Sequence, residues 1–151
     1  LQRFFNLSLT TLNNYKSISY AVKVKDRKFF SMNKEQFLAF LPQNEDQFSA
    51  AVNTFINHNY PNWRKYYFHV PNESATNAKI RSKLVSMGLL AGVPDYCFLK
   101  PTTWFMELKM PYNSLSPKQK LLHEIWTKND IEIYTCKTTF EVYSVLEKKY
   151  S

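Results

Sequence analysis

Gly92-Val93-Pro94-Asp95-Tyr96-Cys97-Phe98-Leu99, followed by Trp104-Phe105-Met106-Glu107-Leu108-Lys109, decides the fold of this chain. Tyr96–Leu99 and Trp104–Leu108 are short apolar and aromatic runs that read as strands. Lys100-Pro101-Thr102-Thr103 between them has the length of a hairpin connection. Alternation along the second strand puts Glu107 and Lys109 on one face and Leu108 on the other. Asp95 opens the first strand. If the two strands pair, Asp95 and Glu107 approach one point, where two carboxylates can hold a hard divalent cation. A lysine beside that cation can orient a water or neutralise charge developing on a phosphate. This is the minimal equipment for metal-dependent cleavage of a phosphodiester. The same residues also serve as an ordinary Glu–Lys pair on a solvated strand, with Asp95 a turn residue after Pro94.

Working outward, Asn33 with Gln36 reads as a capping box opening a short helix to about Leu41, ended by Pro42. Asn44 with Gln47 reads as a second box. Phe48, Ala51, Val52, Phe55 and Ile56 then recur at helical spacing, with Glu45 in the first turn. Tyr66–Val70 reads as a strand broken by Pro71-Asn72. Thr76–Met87 reads as a helix carrying Lys79, Arg81 and Lys83, with Gly88 as its C-cap. Ser116, Pro117 and Gln119 mark a further helix start, with Leu121, Leu122, Ile125 and Trp126 expected as the buried face. Ile131–Cys136 is the last strand. Thr138 and Glu141 cap a final helix expected to bury Phe140, Val145 and Leu146. Upstream, Ile18–Val24 and the turn Lys25-Asp26-Arg27-Lys28 fit a hairpin. The order predicts an α/β fold, a central mixed sheet flanked by helices. Residues 1–44 read as an N-terminal extension packed on a core of residues 45–151.

The chain has 151 residues, 44% of them hydrophobic, which suffices for one packed domain. No apolar run approaches the ~18 residues of a membrane span, and no secretory leader is read at the start. Cys97 and Cys136 match no metal or redox spacing, which fits a reduced, intracellular compartment. His58, His69 and His123 are too scattered for a metal site or a catalytic triad. Cys97 reads as a small buried residue, and Trp63, Trp104 and Trp126 as core or interface aromatics. There is no Gly-rich phosphate loop. The net charge is +8, and residues 64–128 alone carry ten Lys/Arg against four Asp/Glu. A basic surface around an acidic notch suits a polyanion. Aromatics within residues 1–32 could stack on unpaired bases.

Gly88, Gly92-Val93-Pro94-Asp95-Tyr96, Glu107-Leu108-Lys109 and Leu115-Ser116-Pro117-Lys118-Gln119-Lys120, in that order, resemble the VRR-NUC family. This is the virus-type replication-repair nuclease branch of the PD-(D/E)XK superfamily. The resemblance runs from about residue 69 to 150. It implies an α/β nuclease core that hydrolyses DNA with Mg²⁺ or Mn²⁺. By the same resemblance Asp95 and Glu107 are metal ligands, Lys109 is the catalytic lysine, and Gln119 faces the active site. Glu45 is similar by position to an acidic residue on the family's first core helix, and Glu73 is the alternative for that role. Pro71-Asn72 resembles a Pro-Asn-Gly segment of the family, but Glu73-Ser74-Ala75 stands where glycines are usual. Lys79, Arg81 and Lys83 follow where family members carry basic residues and would grip phosphates, and Asn72 and Lys118 are expected to bind nucleic acid with them. Stand-alone members look like Holliday-junction resolvases acting as homodimers, which implies branched DNA as partner. The alternatives are an RNase, or a catalytically silent binding or interaction module of a replication, repair or defence assembly.

Overall fold

The computed structural model describes residues 31–70 and 78–150. The hairpin expected over Ile18–Lys28 lies outside them, as do Asn72, Glu73 and Thr76.

Helix α1 (Lys34–Ala39) starts with a complete capping box: Asn33 Oδ1 accepts the Gln36 N–H at 2.8 Å and Gln36 Oε1 accepts the Asn33 N–H at 3.0 Å. It stops two residues short of Leu41, because Pro42 forces the residue before it out of the helical region. Helix α2 (Glu45–Asn59) buries Phe48, Ala51, Val52, Phe55 and Ile56, as their spacing predicts. Its box is only half formed. Asn44 Oδ1 accepts the Gln47 N–H, but Gln47 Oε1 takes the N–H of Gln43 at 3.1 Å rather than that of Asn44. A single-turn 3₁₀ helix (Pro61–Trp63) leads into β1 (Tyr67–His69). Helix α3 (Ala78–Ser86) has no buried residue. It closes in a Schellman turn, with Gly88 N–H on Val85, Leu89 N–H on Leu84, and Gly88 at φ +99°.

Strands β2 (Tyr96–Phe98) and β3 (Trp104–Leu108) are followed by helix α4 (Pro117–Lys128), β4 (Glu132–Cys136) and helix α5 (Thr139–Tyr150). The sheet order is β1-β2-β3-β4. β1–β2 and β2–β3 are antiparallel, with Cys97 opposite both Phe68 and Phe105. β3–β4 is parallel, with Phe105 opposite Ile133, and α4 makes the crossover. The sheet is therefore mixed.

Period-two alternation gives β3 two distinct faces. Trp104, Met106 and Leu108 join Phe37, Phe55, Val142 and Leu146 in the core beneath α1, α2 and α5. Phe37 stacks on Phe55 at 4.2 Å and Phe98 on Trp104 at 3.9 Å. Phe105 and Glu107 point the other way, toward α4, where Phe105 meets Trp126 at 4.8 Å.

Two expected buried faces are corrected. Leu121 and Ile125 are 61% and 48% exposed, Leu122 and Trp126 are half-buried, and the buried residue of α4 is His123. The helix turns Gln119, Leu122, His123 and Trp126 to the sheet. Leu121 lies two residues from both Gln119 and His123, about 200° around the helix, and so faces outward. Phe140 is 61% exposed for the same reason, being two residues from buried Val142; Val145 is half-buried, and Leu146 is buried as expected.

Candidate active site

Asp95 sits at the mouth of β2, and its carbonyl accepts the Val70 N–H at 2.7 Å, extending the β1–β2 ladder by one pair. Its carboxylate reaches the neighbouring strand: Oδ2 accepts the Leu108 N–H at 2.7 Å. Because β2 and β3 are antiparallel, the start of β2 lies beside the end of β3, which carries Glu107 and Lys109. The carboxylates thus occupy the open end of the hairpin, and its 100–103 connection the other.

Glu107 is fully buried. Its Oε1 accepts from Gln119 Nε2 and lies 3.1 Å from Lys109 Nζ. Its Oε2 is buried with no hydrogen-bond partner among the described residues. An unsatisfied buried carboxylate oxygen is costly. Burial first, then the charge of Asp95, pushes Glu107 up to about 7 despite Lys109. Asp95 is also raised, mainly by burial, against the pull of the Leu108 N–H, Lys109 and His69.

Burial pulls Lys109 down, but the hydrogen bond and charge of Glu107, with the charges of Glu45 and Asp95, outweigh it and hold the lysine above its ordinary value. The carboxylates around it thus favour the cationic form of Lys109. Its Nζ is 3.7 Å from Oε1 of Glu45, the first residue of α2, and the same oxygen accepts from Asn113 Nδ2 at 3.2 Å.

Gln119 is held by the start of α4. Ser116 Oγ accepts its N–H at 3.2 Å, and its Oε1 accepts the Ser116 N–H at 2.9 Å. Gly92 lets this turn approach. It has φ +91°, and a Cβ there would lie 2.8 Å from the Lys118 carbonyl oxygen and 3.1 Å from the Gln119 nitrogen. His123, one turn on, hydrogen-bonds the Gly92 backbone, and burial lowers its pKa, leaving a neutral imidazole.

The residues expected from sequence divide into groups. Asp95, Glu107, Lys109, Gln119 and Glu45 converge. Lys79, Arg81 and Lys83 are exposed along α3, and Lys118 is exposed on α4; none of these four lines the cleft above the carboxylates. Asn72 lies outside the described residues. Burial raises the Cys97 thiol, so it carries no thiolate. Sequence reading missed Arg64, His69 and Asn113, which no motif marks, and the role of His123. The cleft encloses about 700 Å³ and runs from Glu45, Asp95 and Gln119, past Ser49 and Asn53 on α2, to Arg64.

The donor set fits a hard divalent cation. Asp95 and Glu107 offer carboxylate oxygens, and Oε2 of Glu107, buried with no hydrogen-bond partner among the described residues, is an oxygen that such an ion would satisfy. Among the described residues no three His, Cys, Asp or Glu side chains form a ready-made cage. Mg²⁺ commonly uses one or two carboxylates and completes its shell with water.

No family model matches the sequence, and no curated protein does. Among solved structures, a VRR_NUC domain protein matches with a TM-score of 0.61 at 20% identity, over 74% of this chain and 91% of that one. With its mixed four-stranded sheet between helical layers, the chain has an α/β fold similar to that of a VRR_NUC domain protein.

Proposed function

We propose that the chain is a divalent-metal-dependent endonuclease acting on DNA. The observation that carries this is Glu107: a fully buried carboxylate with one oxygen tied to Gln119 and Lys109 and the other unpartnered, at the strand end where Asp95 arrives. Asp95 and Glu107 would hold Mg²⁺ or Mn²⁺, with Glu45 at the rim. When bound, such an ion supplies Lewis acidity toward a phosphate oxygen and a water of lowered pKa. Lys109, kept cationic by its carboxylate neighbours, offsets charge developing on the phosphate and orients the attacking water. Gln119 fixes the Glu107 carboxylate. Lys79, Arg81, Lys83 and Lys118 add basic surface that suits the DNA backbone, with Asn72 as a further expected contact.

A four-way junction is the proposed substrate and a homodimer the proposed form. Exposed Leu121 and Ile125 on α4 support a two-fold contact, whose symmetry suits a junction. Buried, unpaired Cys97 and Cys136 fit an intracellular protein. Among the described residues no helix is long and apolar enough to cross a membrane.

The test is cleavage of linear duplex, single-stranded, flap and four-way-junction DNA with Mg²⁺, Mn²⁺ or EDTA, repeated with Lys109→Ala and Asp95→Ala. Metal-dependent cutting lost in both variants is expected. Cutting in EDTA, or full activity in both variants, would remove the mechanism. Binding without cutting under every metal would mark a binding module.

A further inference from the structure

At the far end of β2 from the carboxylates lies a second groove, lined by Pro61, Asn62, Trp63, Arg64, Lys65, Tyr66 and Lys100. Arg64 lines both this groove and the active-site cleft, so the two meet at one side chain. Arg64, Lys65 and Lys100 are exposed, no acidic residue among the described residues lines the groove, and no described carboxylate forms an ion pair with any of the three. Three cations in one concavity, with no counter-ion among the described carboxylates, suit a polyanion.

The aromatic residues of this groove fix its shape. Trp63 stacks on Tyr150 at 4.0 Å, and Lys100 Nζ lies 3.9 Å above the Tyr66 ring. Lys100 is thereby posted over the groove by a cation–π contact.

We propose that this groove holds the sugar-phosphate backbone of the DNA leaving the cleavage site, with Arg64 at the junction and Lys65 and Lys100 on the outgoing phosphates. The proposal rests on the nuclease reading only in taking Asp95 and Glu107 as the cutting end. Asp95 and Lys100 bracket β2 five residues apart. At ~3.3 Å per extended residue that is ~17 Å, or about five base pairs of 3.4 Å. The contact is sequence-independent and salt-dependent.

The experiment measures binding of a labelled duplex of about 20 base pairs in EDTA across a KCl series, each neutralised phosphate contributing roughly 0.9 to the salt slope. For Lys65→Ala/Lys100→Ala, the slope of log affinity against log salt should become shallower by about 2, and for Arg64→Ala by about 1. Lys65→Arg/Lys100→Arg should restore the wild-type slope. All three are surface side chains, so thermal midpoints serve as the fold control. Where the wild type cuts, a neutral methylphosphonate about five phosphates from the cut should weaken wild-type binding and leave the double variant unaffected. Normal metal-dependent cutting with unchanged slopes overturns the groove and leaves the nuclease intact. Shallower slopes without cutting under any metal support the groove and overturn the nuclease.

Discussion

Gln119 donates from Nε2 to Oε1 of Glu107 while its own Oε1 accepts the Ser116 N–H, so one amide closes a helix start and anchors a buried carboxylate. Both ends of the amide are engaged, which fixes its orientation.

Gln119→Glu separates these duties. A glutamate at the third helical position preserves the capping box. It also sets a second carboxylate against Glu107, disfavouring ionisation of both. The unfolding free energy should fall more at pH 8 than at pH 5, by roughly 1–2 kcal/mol. Urea denaturation at the two pH values measures this, and an equal loss at both would contradict it.

Glu107 itself predicts a pH dependence. Its folded pKa is raised to about 7 from 4.5. Between these values the folded state keeps a proton that the unfolded chain has released. The associated stability is full below pH 4.5 and lost as pH rises through about 7. Glu107→Gln removes that loss. In EDTA, its stability relative to wild type should rise by about 3 kcal/mol between pH 4.5 and 8. Adding Mg²⁺ at pH 8 should raise the melting temperature of the wild type and not of the variant. A difference that stays flat with pH would refute the linkage.

Gly92 and Gly88 provide a matched comparison. Both have positive φ, but a Cβ at Gly88 meets nothing within 4 Å, whereas at Gly92 it meets backbone of Lys118 and Gln119. Gly88→Ala should cost about 1–2 kcal/mol from backbone conformation alone. Gly92→Ala should cost more, by roughly 1–3 kcal/mol of overpacking, and should abolish cutting by moving the first turn of α4. Equal stability losses with activity retained would contradict this coupling.

Leu121→Glu/Ile125→Glu tests the two-fold contact. Both side chains already face outward, so the melting temperature of the monomer should hardly change. Sedimentation should show a dimer for the wild type and a monomer for the variant. A wild type that stays monomeric with junction DNA ends the dimeric reading.

Much of the local structure was legible in the sequence. The box of Asn33 with Gln36, that of Ser116 with Gln119, and the stripe on α2 follow from short-range hydrogen bonding and periodicity. The turning of α4 was legible only in part: the family resemblance turned Gln119 to the site, but periodicity put Leu121 and Ile125 inside and left His123 out. Its sequence offers two stripes, and the more polar one, with Gln119 and His123, faces inward because its partners are Glu107 and Gly92. No local rule anticipates a polar face buried for a long-range partner. The Asp95 bond to the Leu108 N–H, and Asn113 beside Glu45, likewise depend on residues distant in sequence.

The β2–β3 hairpin has one further consequence. The separation of Asp95 from Glu107 is set by strand pairing, and the loop joining the strands is at the opposite end. Residues 100–103 can therefore lengthen, shorten or change charge without altering the spacing of the two acids. In the proposed nuclease, cutting chemistry and grip on the substrate would then be free to diverge separately within one small sheet.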